Sequence, residues 1–248
     1  TLTSPKIGTD ILDTGGNELM KITVTGSAEN EFTMAAGASG NGPTLSSTGS
    51  SDTNIDININ PGGTGVLKSG TAAVKVAGTE TIFVPAQAMF GTTTNGADAQ
   101  AVETTATRPE MKVLDFDPST AEYAQFSIAM PKSWNLGTIT FQAFWSPSST
   151  DTGNALIGLQ GVGVANDDSS DQAFGTAVDV TDAGTGAVED VLVSPVSTAV
   201  TIAGTPADDD YTYFQVVRNA TSVSDTFTGD VRLLGIKIFY TTDAANDA

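Results

Sequence analysis

No cysteine and no histidine occur anywhere in this sequence. The first absence excludes disulfides, thiolate metal sites and cysteine nucleophiles. The second removes the commonest general base and the commonest metal ligand. Basic residues are scarce: 10 Lys and Arg stand against 29 Asp and Glu, a net charge of −19. A chain so acidic repels phosphate backbones and anionic bilayers, so neither nucleic acid nor membrane is an expected partner. It also stays soluble in salty water, where screening weakens self-repulsion, and a saline habitat suits it. No stretch approaches transmembrane length, and Thr1 to Lys21 lacks a basic start followed by an apolar run. A soluble protein without a visible secretory signal is the expectation.

What is present leans to β structure. Gly, Ser and Thr are abundant and only 16% of the 248 residues are charged. Thr, Val, Ile and Phe favour strands, while Gly, Asn, Asp and Ser favour turns. The chain has two textures. Residues 1–72 are poor in large apolar side chains, yet carry strand signals at Leu19 to Thr25, Glu31 to Met34 and Asn54 to Asn60. The last alternates Ile55, Ile57 and Ile59 with polar residues at period two. A segment this poor in core residues buries little surface alone, and an isoleucine stripe needs a cover. Symmetry-related copies supply one. The segment is either disordered or shares its core with copies of itself, and the isoleucine stripe favours the second; Ile22, Val24, Phe32, Ile55, Ile57, Ile59 and Val66 are then the expected interface residues of this small β-rich segment. Residues 73–82 read as a connector.

Residues 83–248 hold both Trp and all four Tyr. Short strands are expected at Thr81–Val84, Met111–Phe116, Tyr123–Met130, Gly137–Trp145, Ala155–Val164, Val191–Val193, Ala199–Ile202, Tyr211–Arg218 and Val231–Thr241. Turn signals such as Asp117-Pro118, Ser146-Pro147 and Thr205-Pro206 separate them. Strands at this spacing predict an antiparallel, jelly-roll-like β-sandwich. One short helix is expected at Asp167 to Phe174, with an aspartate capping its start. Along Thr138 to Trp145 the alternation puts Ile139, Phe141, Ala143 and Trp145 inward.

Chemistry is thinly represented. Paired carboxylates are the one catalytic device the composition easily supports. The densest clusters are Asp167/Asp168/Asp171 and Asp208/Asp209/Asp210, and both read as solvated turns. Calcium would use the second cluster, but no spaced D-x-D-x-D-G loop is present. Gly161-Val162-Gly163 lacks the third glycine and following helix of a nucleotide loop, and reads as a glycine-relieved strand. No catalytic residue, metal or cofactor is expected. The aromatics Trp134, Phe141, Phe144, Trp145, Tyr211, Tyr213, Phe214, Phe239 and Tyr240 could line a sugar-binding face, although strand aromatics are more often core or interface. Between Lys132 and Arg218 the sequence has no basic residue and eleven acids.

Several motifs in order carry a resemblance. They include Val84-Pro85-Ala86-Gln87-Ala88-Met89, Thr92-Thr93-Thr94-Asn95-Gly96-Ala97, Glu122-Tyr123-Ala124-Gln125-Phe126, Met130-Pro131-Lys132-Ser133-Trp134-Asn135, Gly158-Leu159-Gln160-Gly161-Val162 and Leu234-Gly235-Ile236-Lys237-Ile238-Phe239-Tyr240. Together they resemble a C-terminal module of virion proteins of tailed bacteriophages. Ile11-Leu12-Asp13, Asp52-Thr53-Asn54-Ile55 and Pro61-Gly62-Gly63-Thr64-Gly65 resemble the stem of phage fibre-type proteins. The resemblance implies a non-enzymatic virion structural protein, a homotrimer assembled in the host cytoplasm. Its first implied role is a capsid decoration or cement protein that binds the major capsid protein, or another virion protein, and stabilises the head shell. The alternative is a tail or head fibre whose jelly-roll domain binds a host surface glycan.

Overall fold

A computed structural model describes residues 77–242 continuously, and before them residues 10–12, 14, 18–21, 30–40, 42–49, 55, 57, 59–61, 64–65, 67–70 and 72–73. The chain divides into two compact units, Thr1–Val74 and Lys75–Ala248. Among the described residues no helix is long and apolar enough to cross a membrane.

In the first unit the described strands form three small antiparallel pairs: β1 (Asp10–Leu12) with β2 (Glu18–Lys21), β3 (Asn30–Ala35) with β4 (Thr44–Gly49), and β5 (Lys68–Ser69) with β6 (Ala72–Ala73). Exposed apolar side chains remain on them. Met34 is 69% exposed and Leu45 48%. Within the expected stripe only Ile55, Ile57, Ile59 and Asn60 are described, and among the described residues none of them lies in a strand; the Ile55 carbonyl accepts a hydrogen bond from the Ser47 hydroxyl at 2.8 Å.

The second unit holds β7 (Gly78–Pro85), β8 (Phe90–Gly91), β9 (Asp98–Glu103), β10 (Glu110–Phe116), β11 (Glu122–Ala129), β12 (Thr140–Pro147), β13 (Asn154–Val164), β14 (Val178–Ala183), β15 (Leu192–Val193), β16 (Ile202–Ala203), β17 (Tyr211–Arg218) and β18 (Val231–Thr242). They make two six-stranded sheets. The first runs β15-β12-β18-β10-β9, with β7 also on β18; the second runs β14-β13-β17-β11-β8, with β16 also on β13. The strand pairs are antiparallel except β13 with β16. The chain crosses repeatedly from one sheet to the other, as a jelly-roll β-sandwich requires.

Alternation explains why these strands face as they do. Phe116, Phe141, Ala143, Trp145, Leu233 and Ile238 face inward from the first sheet, and Phe126, Ile157, Leu159, Phe214 and Val216 from the second. Phe126 and Phe214 sit directly opposite in register and stack at 5.2 Å. The inward set Ile139, Phe141, Ala143 and Trp145 is buried as the pattern requires. Gly161 and Gly163 lie inside β13, where a Cβ would come within 2.9 Å of the Phe214 ring and 2.7 Å of Pro206. They let neighbours approach the strand, as a glycine-relieved strand should.

Local expectations fail in three places. No helix forms at 167–174. Asp167 adopts φ 69° and the Ser169 hydroxyl accepts the Asp171 N–H, so side chains take the hydrogen bonds a helix would use. Ala199–Ile202 shrinks to β16, because Val200 instead bridges Ile139. Strands β8, β9 and β14 have no counterpart in the sequence pattern. β9 reads Asp-Ala-Gln-Ala-Val-Glu and is almost wholly exposed, so it lacks an apolar face that periodicity could detect.

One charged cluster holds the bottom of the sandwich. Arg218, buried at the end of β17, directs Nε and Nη2 at the two carboxylate oxygens of Asp225, at 3.2 and 3.0 Å. Its Nη1 donates to the carbonyls of Phe116 and Gly229 at 3.0 and 2.7 Å, and Nη2 also donates to Phe227. Asp225 Oδ2 accepts the Leu156 N–H at 2.9 Å as well. Five guanidinium donors and both carboxylate oxygens are satisfied, which buried charge demands.

Candidate functional site: the outer face of the second sheet

The outward residues of β11, β13 and β17 are fixed by the same alternation that builds the core. On β17 they are Tyr211, Tyr213, Gln215 and Val217; on β11, Tyr123, Gln125 and Ser127; on β13, Gly158, Gln160, Val162 and Val164. Register then aligns them. Gln125 pairs with Gln215, Gln215 with Gln160, and Phe90 of β8 with Gln125. The result is a row Phe90-Gln125-Gln215-Gln160 across four strands. Gln160 Nε2 donates to Gln215 Oε1 at 2.6 Å, which leaves the Gln215 amide nitrogen for other acceptors. Gln125 has no side-chain hydrogen bond to another described residue.

Aromatic rings stand on either side of this row. Tyr211 and Tyr213 meet edge to face at 4.8 Å, and the Tyr211 hydroxyl bonds that of Ser127. Tyr211 is 53% exposed and Phe90 58%. Two grooves open on this face. The larger, ≈ 530 Å³, is lined by Phe90, Tyr123, Gln125, Gln215 and residues 92–95. The second, ≈ 390 Å³, lies at the tyrosine end with Asn166, Asp167 and Asp209.

The walls are fixed. The Tyr123 carbonyl accepts from Thr92 and Ala97 at 3.2 and 3.1 Å, and the Tyr123 N–H donates to Asn95 at 2.8 Å. Gly96 allows the turn, since a Cβ there would sit 2.0 Å from the Thr92 carbonyl. Gly158 leaves space that Asp179 occupies: a Cβ would lie 2.2 Å from its carboxylate. Aromatic rings beside placed amides, on rigid strands, make a surface suited to hydroxyl-rich ligands with apolar faces.

The other expected residues fall elsewhere. Trp134, Phe141, Trp145, Phe214 and Tyr240 are core. Phe144 and Phe239 lie on the outer face of the first sheet, where Phe83 meets Phe144 edge-on at 5.4 Å and Lys237 covers Phe239 at 5.1 Å. Asp210 is buried and its carboxylate caps the Ala207 N–H at 2.9 Å, a turn-building role. Among the described residues no group of three or more acids is placed to hold a metal ion. Of the interface candidates, Ile57 is 40% and Ile59 59% exposed, and Ile55 is half-buried. Ile22, Val24 and Val66 lie outside the described residues, as does the side chain of Phe32. Sequence reasoning missed Phe90, Tyr123 and the three glutamines. Period-two alternation marks them as outward, but only register shows that they form one row.

Acids also crowd the corner where β10 meets β11. Burial pushes the Asp115 carboxyl up; Arg232, 3.7 Å away, opposes this, while Asp230, Asp98 and Glu122 add to it. Burial likewise raises Glu122, whose carboxylate accepts the Asp117 N–H at 2.8 Å. A raised folded-state value means the native state holds its proton more tightly than the unfolded chain, so stability falls as pH rises through that window. Glu122→Gln keeps an acceptor for Asp117 and removes the charge. It is expected to be more stable than the native sequence at pH 7, with the difference closing towards pH 4, in urea titrations across that range. A variant less stable at pH 7 would refute this.

No protein-family model and no curated protein matches the sequence. Solved structures with similar folds include the CBM35 from Cellvibrio japonicus Abf62, with TM-score 0.38 and 14% identity over 68% of this chain and 100% of that one. TmCBM61 in complex with β-1,4-galactotriose gives 0.29 and 14%, over 66% and 86%. A chain of the infectious bursal disease virus Gx strain gives 0.26 and 8%, over 90% and 59%. Likeness this distant transfers no ligand and no residue role.

Proposed function

We propose that the C-terminal sandwich is a glycan-binding module carried by a virion fibre-type protein, with the outer face of the second sheet as its binding surface. The row Gln125-Gln215-Gln160, flanked by Phe90, Tyr123, Tyr211 and Tyr213, carries this reading. Amides hydrogen-bond sugar hydroxyls, and rings cover the apolar faces of sugars. The virion setting comes from the sequence motifs, and a trimer would present three such surfaces, raising avidity without new contacts.

The test is glycan-array binding by the full chain, followed by calorimetry on the strongest ligand. Tyr213→Ala and Gln215→Ala are each expected to weaken binding about tenfold or more. Both side chains point away from the core, so the melting temperature should hold. Binding unchanged by both variants would move the site elsewhere.

A second reading, a trimeric decoration protein that grips the capsid lattice, draws support from one observation. Met34, Leu45, Ile57, Ile59 and Leu67 are exposed apolar residues in the N-terminal unit, a surface that symmetry-related chains would cover in such an assembly. Copy number in purified virions separates the readings. Parity with the major capsid protein favours decoration, and a few trimers per particle favour a fibre.

A further inference from the structure

We infer that the outer face of the second sheet takes an uncharged oligosaccharide of more than one sugar and turns away glycans bearing carboxylate or sulfate. The inference rests on the glycan-binding reading and adds ligand charge and ligand length to it.

Charge comes first. The second sheet is built from β8, β11, β13, β14, β16 and β17. Its one basic residue is Arg218, which is buried and fully committed to Asp225 and three carbonyls. No lysine or arginine lines either groove. Recognition of carboxylate or sulfate ordinarily uses Arg or Lys, because charge-assisted bonds offset the desolvation of the anion. Here the charged groups present are negative. Asp167 and Asp209 line the tyrosine-end groove, and Asp179 lies against Gly158 and Val217 beside the glutamine row. An anionic sugar would meet repulsion at these points and find no cation to compensate. The row itself offers neutral amides, which suit neutral hydroxyls.

Length comes second. The two grooves lie on one face, with Gln215 lining one and Tyr211 and Tyr213 the other. From Tyr211 to Gln215, the groove-lining stretch of this strand, the chain advances about 14 Å at its usual rise of about 3.4 Å per residue. That length suits several linked sugars. A single terminal sugar would engage one groove and leave the other empty.

The test uses the full chain on an array of neutral galactan, xylan and laminarin fragments from mono- to hexasaccharide, printed beside uronic-acid and sulfated counterparts. Retention is expected on neutral fragments only, rising with length, and lost in Tyr213→Ala and Gln215→Ala. Asp167→Asn with Asp209→Asn changes two exposed side chains and should improve retention of the anionic counterparts roughly fivefold, an effect that shrinks at high salt. If anionic fragments bind as well as neutral ones through Tyr213 and Gln215, this inference falls while glycan binding stands. Equal binding of mono- and hexasaccharides through those residues also overturns it. No retention of any fragment overturns both.

Discussion

Replacing Arg218 with alanine is expected to lower the unfolding free energy of the C-terminal unit by about 3–5 kcal/mol, the usual cost of breaking a buried ion pair. In a unit of this size that corresponds to a fall in melting temperature on the order of 10 °C. The cause is what remains behind. Asp225 has a side-chain exposure of 1%, and without the guanidinium its carboxylate keeps one backbone partner, the Leu156 N–H. The carbonyls of Phe116, Gly229 and Phe227 lose their donors too. Arg218→Lys would rescue little, because an ammonium has three donors and no planar fork. Removing both charges, with Arg218→Met and Asp225→Leu, should recover part of the loss, since no isolated charge is then buried. Chemical denaturation of the three variants checks this. A loss below about 1 kcal/mol in Arg218→Ala would show that the cluster contributes little.

Trp145→Ala is expected to destabilise the sandwich by about 3–5 kcal/mol, the range for deleting a large buried aromatic. Trp145 is fully buried, its indole N–H donates to Asp182 at 2.8 Å, and its ring meets Phe227 edge-on at 5.4 Å. Trp145→Phe should cost less, because it keeps most of the packing and gives up the hydrogen bond to Asp182. The Arg218 guanidinium lies 5.7 Å from the centre of the same Phe227 ring. The two sites therefore share a neighbour, and their effects should not add. A double-mutant cycle is expected to give a coupling of about 0.5–3 kcal/mol. Strict additivity would show that Phe227 transmits nothing between them.

Much of the sandwich is legible in the sequence, for a physical reason. A strand with one face on a core must alternate, so Ile139, Phe141, Ala143 and Trp145 declare both strand and inner face. Tyr211–Arg218 reads as a strand and is one, with the same bounds. Where no core face exists, the signal disappears. β9 is an exposed run of alanines and acids, and β8 is two residues long. The acid run at 167–171 looks like a helix start, since aspartate caps helices, but aspartate and serine bond the backbone of turns just as readily. Nothing local decides between these outcomes.

The candidate site divides in the same way. The sequence by itself determined an all-β chain and an acidic stretch with no basic residue between Lys132 and Arg218. These follow from composition and from period two, which are local properties. Only the tertiary structure decided that the three glutamines share a row and that Phe90 and Tyr123 stand beside it. That outcome depends on the register of β11, β13 and β17, strands separated along the chain by other strands of both sheets. That register sets Phe126 against Phe214 and Gly161 beneath the Phe214 ring, contacts that exist only once these strands have paired.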